Sequence, residues 1–117
     1  MSAPPSTCLS IERAMEYIGD MDGVLSLLAT LQSSLEQDLP EIQARLDAGN
    51  LSGANELLHQ LKGFAPVFCV DDLVAQVVSV EALSKRSEVS PAREAYAALA
   101  PRLQQLLSEV KARRAAG

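Results

Sequence analysis

Apolar residues recur every three or four positions along nearly all of this chain, and no segment shows the period-2 pattern of a half-buried strand. That spacing puts them on one stripe of successive helices and leaves no half-buried strand, so the expected fold class is all-α. Residues 10–18 read as a short helix, with Ser10 as N-cap, Gly19 as stop, and Ile11, Met15 and Ile18 on one face. Residues 22–48 read as a long helix along Val24, Leu28, Leu31, Leu35, Ile42 and Leu46. Pro40 lies inside it, removes a backbone hydrogen bond, and is expected to bend the helix near residues 36–40 or to split it. A Gly49-Asn50 turn leads to a third helix over 52–69, with Ser52 as its N-cap. After a break at Val70-Asp71-Asp72, the Asp pair caps a fourth helix over 72–86, whose seam is Leu73, Val77, Val80 and Leu83. Ser90 and Pro91 are suited to N-cap and first helical position, opening a fifth helix over 91–113 with a kink expected at Pro101. The short connections favour antiparallel neighbours. The expected architecture is an up-down bundle of these helices. In domain terms, residues 1–9 form a flexible arm, 10–114 the bundle and 115–117 a tail.

Composition narrows the function classes. The chain has 117 residues, 48% hydrophobic and 3% aromatic, so one domain with a core of Leu, Val, Ile and Ala is expected. A net charge of -5 repels phosphate backbones, which argues against a nucleic-acid partner. The basic tail Lys111, Arg113 and Arg114 reads as favourable charge at a helix C-terminus. Cys8 and Cys69 form no CxxC pair and have no second ligand type at metal spacing, so no metal site is expected and the thiols read as reduced and cytosolic. No run approaches the roughly 18 apolar residues of a membrane span. A cytoplasmic, monomeric domain without direct membrane insertion is expected.

The stretch that carries chemistry is Leu57-Leu58-His59-Gln60-Leu61-Lys62-Gly63-Phe64-Ala65. At about 100° per residue, Leu57, Leu61, Phe64, Ala65 and Phe68 fall opposite His59, with Ala54 and Leu58 beside them. Asn55, Glu56, Lys62, Gly63 and Pro66 fall on the His59 side. The only histidine of the chain therefore projects from a polar face in mid-helix. An imidazole in water, with a pKa of about 6.5, is substantially neutral at cytosolic pH and leaves one ring nitrogen free as a nucleophile. Lys62, one turn on, is placed to steady the oxygens of a transferring phosphoryl group. Gly63 leaves the space beside the ring open. On periodicity alone an ordinary surface histidine and an ordinary solvated lysine account for the first two. A mid-helix glycine costs about 1 kcal/mol relative to alanine and needs a reason. A C-cap role, helped by Pro66, is one; the apolar face continuing through Phe64, Ala65 and Phe68 argues against it.

The run His59-x-Leu61-Lys62-Gly63-x-Ala65 resembles the signature of histidine-containing phosphotransfer (HPt) domains of bacterial two-component phosphorelays. Asp38-Leu39-Pro40 upstream, the Ala48-Gly49-Asn50 turn, and Glu81 with Leu83 in the next helix are similar to that family's layout. The likeness covers roughly residues 10–110. It implies an up-down antiparallel four-helix bundle with a short extra N-terminal helix, a phosphoryl-accepting histidine at His59, a supporting lysine at Lys62 and the small residue at Gly63. It also implies response-regulator receiver domains and a hybrid sensor histidine kinase as partners. The chain would need no cofactor of its own, the receiver supplying Mg²⁺. Phe64, Pro66 and Cys69 depart from the family pattern, and Pro66 leaves the Lys62 carbonyl without its helical partner. An apolar docking patch drawn from Leu35, Leu39, Phe64 and Val67, with Asn55 and Pro66 beside the histidine, is expected to meet the partner.

No Gly-rich phosphate loop or Walker lysine is present, so the chain is not expected to phosphorylate itself from ATP. Two other readings stay open. One is a helical docking or adaptor module without transfer. The other is the phosphoacceptor domain of a chemotaxis-type histidine kinase, whose ATP-binding domain would lie elsewhere.

Overall fold

The computed structural model describes residues 8–116. Its elements are α1 (Ile11–Ile18), α2 (Met21–Asp47), α3 (Leu51–Phe68), α4 (Asp71–Ser84) and α5 (Val89–Ala116). Helix α2 packs against α3 and α5, α3 against α4, and α4 against α5. Four helices thus close a ring in chain order, with α1 laid against α2 and α3. This is the all-α bundle with a short extra N-terminal helix.

The seams of α2 and α5 and most of that of α4 form the core, whereas Ile11, Met15, Ile18 and Leu83 lie half-buried at its edge. Val24, Leu28, Leu31, Leu35, Leu39, Ile42 and Leu46 of α2 are all buried. Leu73, Val77 and Val80 of α4 and Tyr96, Leu99, Leu103, Leu106 and Val110 of α5 meet them. Prolines 40, 66 and 101 all lie inside helices, and none splits its helix. At Pro40 the chain is tied across the bundle: the buried Tyr96 hydroxyl donates to the Leu39 carbonyl at 3.0 Å. Burial also pushes the Tyr96 hydroxyl up to about 12.

Helix α1 is bounded as expected, and the starts of α3, α4 and α5 differ in identifiable ways. Ser10 caps α1, and Gly19 ends it at φ 95°, a left-handed conformation that favours glycine. Helix α3 starts earlier than a Ser52 cap would allow. Asn50 is the cap, its side chain accepting the Gly53 N–H at 2.9 Å, and Ser52 lies inside the first turn. The Asp pair does not cap α4. The cap position is Val70, and no side chain bonds there. Asp71 and Asp72 sit in the first turn, where their charge suits the helix N-terminus, and pair with Arg13 and Arg102. Helix α5 begins at Val89, so Ser90 is within it rather than before it.

The outer boundaries shift as well. Residues 115 and 116 continue α5 and are not a tail. The flexible arm expected over 1–9 lies outside the described residues except at its end, and there the chain is docked. Cys8 and Leu9 are buried, Leu9 bridges Cys69, and Val70 donates its N–H to the Cys8 carbonyl at 3.0 Å. Glu109 of α5 accepts the N–H groups of Cys8 and Leu9 at 3.1 and 3.0 Å. Arg13 closes the clasp by donating to the Cys69 carbonyl at 2.7 Å. None of these links has a periodic signature, because each joins residues far apart in sequence. Among the described residues no helix is long and apolar enough to cross a membrane.

Candidate functional site

The face of α3 that packs inward is built from Ala54, Leu58, Leu61, Ala65 and Phe68, all buried. Leu57 and Phe64, expected on that face, lie half-buried at its edge. This fixes the rotation of the helix about its axis. His59 consequently stands outward in mid-helix with 70% of its side chain exposed.

Beneath His59 lies a carboxylate. Glu81 of α4 has 1% of its side chain exposed, and its Oε1 is the meeting point of the site. Lys62 Nζ approaches it at 3.0 Å, Lys85 Nζ at 3.3 Å and His59 Nδ1 at 3.9 Å. The last is too long for a hydrogen bond, but a charge on the ring would still interact with the carboxylate. The second oxygen, Oε2, accepts from Asn55 Nδ2 at 3.3 Å. Asn55 also donates to Ser84 Oγ at 2.9 Å, and that hydroxyl donates to the Glu81 carbonyl at 2.6 Å. Among the described residues no buried side-chain nitrogen or oxygen lacks a partner.

A carboxylate this deep is favourable only because it is surrounded by donors. Burial by itself raises the Glu81 carboxyl. The hydrogen bonds and charges of Lys62 and Lys85 outweigh it and hold the group below its ordinary value. Glu81 is therefore ionised at neutral pH and fixes the two ammonium groups at the rim beside the imidazole.

Gly63 is exposed, and a Cβ built on it would meet nothing within 4 Å. No internal contact and no positive φ requires glycine there. Gly53 differs: an added Cβ would collide with the capping side chain of Asn50. The cost of Gly63 thus has no explanation within the fold and leaves open space next to His59.

The expected docking residues divide. Leu35 and Leu39 are 1% and 4% exposed and belong to the core between α2 and α5, so they offer no surface to a partner. The heptad that places them inward also buries Leu31 and Ile42. Phe64, Pro66 and Val67 are half-buried on α3, and Asn55 is engaged with Glu81 and Ser84. Periodicity assigned no role to Glu81, Ser84 or Lys85. A signal was present: Glu81 occupies a seam position of α4, four residues after the buried Val77, with Lys85 a further four along.

Among the described residues no group of His, Cys, Asp and Glu is arranged to hold a metal ion. The arrangement is instead that of an exposed imidazole over a buried carboxylate, with two anchored ammonium groups at its side. A family model described as the Hpt domain matches residues 26–113, which include this whole site. Comparison with curated proteins and with solved structures found no match.

Proposed function

This chain belongs to the Hpt domain family, and on that ground we propose that it is a phosphorelay intermediate whose His59 takes a phosphoryl group from a receiver-domain phospho-aspartate and passes it to another receiver. The observation that carries this reading is the exposed His59 ring, 3.9 Å from the buried Glu81 that also anchors Lys62.

Nδ1 is the ring nitrogen that faces Glu81. A proton held there leaves the Nε2 lone pair directed outward as nucleophile. Nε2 attacks phosphorus, an N–P bond forms, the acyl-phosphate P–O bond breaks, and the donor aspartate leaves as carboxylate. The ring gains positive character, which the Glu81 charge offsets. Lys62 is close enough in sequence and held firmly enough to meet the equatorial phosphoryl oxygens. Gly63 lets the donor domain approach the ring. The reverse sequence delivers the group to an acceptor receiver. Mg²⁺ would come with the receiver. The bundle of α1 to α5 acts as one unit in a cytoplasmic, monomeric module, with Phe64, Pro66 and Val67 as the apolar margin for receiver domains, among them that of a hybrid sensor kinase.

Intact-mass measurement tests the reading. The protein is mixed with phosphorylated receiver domains and Mg²⁺, beside His59→Gln. One acid-labile phosphoryl adduct on the wild type alone is the expected result. No adduct from several receivers or from phosphoramidate would leave a docking module without transfer.

A further inference from the structure

The charge of this protein is distributed against its net sign. The chain carries -5 overall, and half of its ten lysines and arginines are each neutralised by a carboxylate where they stand. Arg13 pairs with Asp71, Arg45 with Glu41, Arg93 with Asp47, Arg102 with Asp72 and Lys111 with Glu36. Arg113 and Arg114, at the end of α5, bond neutral partners, Met21 and Gln32. The remaining lysines and arginine gather at the corner beside His59. There Lys62 and Lys85 share the single carboxylate of Glu81. The next residue, Arg86, is exposed and is the one cationic side chain among the described residues with no ion pair or hydrogen bond. Ser52, Asn55, Ser84, Lys85 and Arg86 line a shallow concavity of about 450 Å³ between the start of α3 and the end of α4. Glu88 and Arg86 line the adjoining one, on the α4–α5 connection.

Resting on the phosphotransfer reading, we propose that Arg86, with Lys85 behind it, is an electrostatic docking determinant for a compact acidic patch on the partner protein. It guides the encounter and plays no part in the chemical step. An unpaired guanidinium in the connection just past α4 is suited to carboxylates, which it can bind in bidentate fashion. Charge at the rim of an interface acts mainly on association rate and its salt dependence. A long polyanion would run off this corner onto the acidic remainder of the surface, whereas a compact acidic patch would not.

The test uses the receiver domain that transfers fastest to the wild-type protein. Transfer is followed under second-order conditions over a range of salt, for wild type, Arg86→Glu and Arg86→Lys. The expected result is a fall of about tenfold in the second-order rate constant of Arg86→Glu at low salt, with a flattened salt dependence. Arg86→Lys should retain most of the wild-type rate. Equal rates and equal salt slopes in wild type and Arg86→Glu would overturn the proposal. So would an equal slowing of His59 phosphorylation by phosphoramidate, which marks a small-anion site. If the wild type accepts no phosphoryl group at all, the phosphotransfer reading fails, and docking is judged separately. Binding of beryllofluoride-loaded receiver domains is then titrated. Salt-sensitive binding that Arg86→Glu weakens keeps the docking role, and binding indifferent to Arg86, or none, ends it.

Discussion

The Nζ of Lys62 lies 3.0 Å from Oε1 of Glu81, joining a residue at the rim to one that is 1% exposed. The pair holds a flexible side chain one turn from His59. It also makes the Glu81 carboxylate the point on which Lys62, Lys85 and Asn55 converge. Glu81→Ala removes the acceptor of Lys62, Lys85 and Asn55. The lysines can turn to water and Asn55 keeps Ser84 Oγ and the Glu81 carbonyl, but the packing and hydrogen bonds of a fully buried side chain are lost, so a loss of about 1–3 kcal/mol is expected. Urea unfolding measures it, and an unchanged midpoint would contradict the described network.

The pH dependence of that contribution has a definite sign. The Glu81 carboxyl is held below its ordinary value of 4.5 in the folded state. Its stabilisation is therefore complete above the unfolded value and lost as pH falls through the lowered folded one. The stability gap between wild type and Glu81→Gln should be constant at neutral pH and close below about pH 4.5. Asp38 works in the opposite sense, since burial raises its carboxyl. The comparison is between two proteins that share Asp38, which removes that contribution.

Lys62→Met tests the ammonium group without disturbing the fold, because Glu81 keeps Lys85 at 3.3 Å. Phosphoryl acceptance by His59 should slow roughly 10- to 100-fold, the worth of a charge-assisted hydrogen bond of about 1.5–3 kcal/mol in the transition state. Single-turnover kinetics reads this directly. A rate within twofold of wild type would remove Lys62 from the chemistry.

Gly63→Ala separates fold from function. A Cβ there meets nothing, so the helix should gain about 1 kcal/mol. Transfer from a receiver domain should fall, because the methyl group intrudes where the partner must approach. Thermal unfolding and transfer kinetics on the same sample check both halves. A stabilised protein with undiminished transfer would leave the glycine without a docking role.

Cys69 is buried, and burial, together with the nearby Cys8, pushes its thiol up to about 12. Cys8 is 2% exposed. Both thiols should resist iodoacetamide in the native protein at mildly alkaline pH and react once urea unfolds it, as intact mass would record.

The helices themselves were readable in the sequence because a helix records its burial at a fixed period. Val24 to Leu46 and Leu73 to Val80 mark their inner faces without reference to any other element. His59, Lys62 and Gly63 were readable for the same reason, since three residues within a turn and a half share a face whatever the rest of the chain does. The caps were less secure. Asn50, Ser52, Asp71 and Ser90 can all cap a helix, and the choice among neighbours depends on where the connecting turn leaves the backbone.

A helical chain, its apolar stripes and an outward-facing histidine with a lysine one turn on follow from the residues alone, because these are local and periodic properties. Leu35 lies on the apolar stripe that the spacing of α2 already marks, and the packing of α2 against α5 covers it and Leu39 so fully that neither is left for docking. The same assembly of helices carried Glu81 from α4 beneath His59 on α3, joined it to Asn55, Lys62 and Lys85, and left Arg86 unpaired at the edge. Those relations depend on the rotation and register of one helix against another. Rotation and register are set by the packing of whole faces, and no spacing within a single segment encodes them.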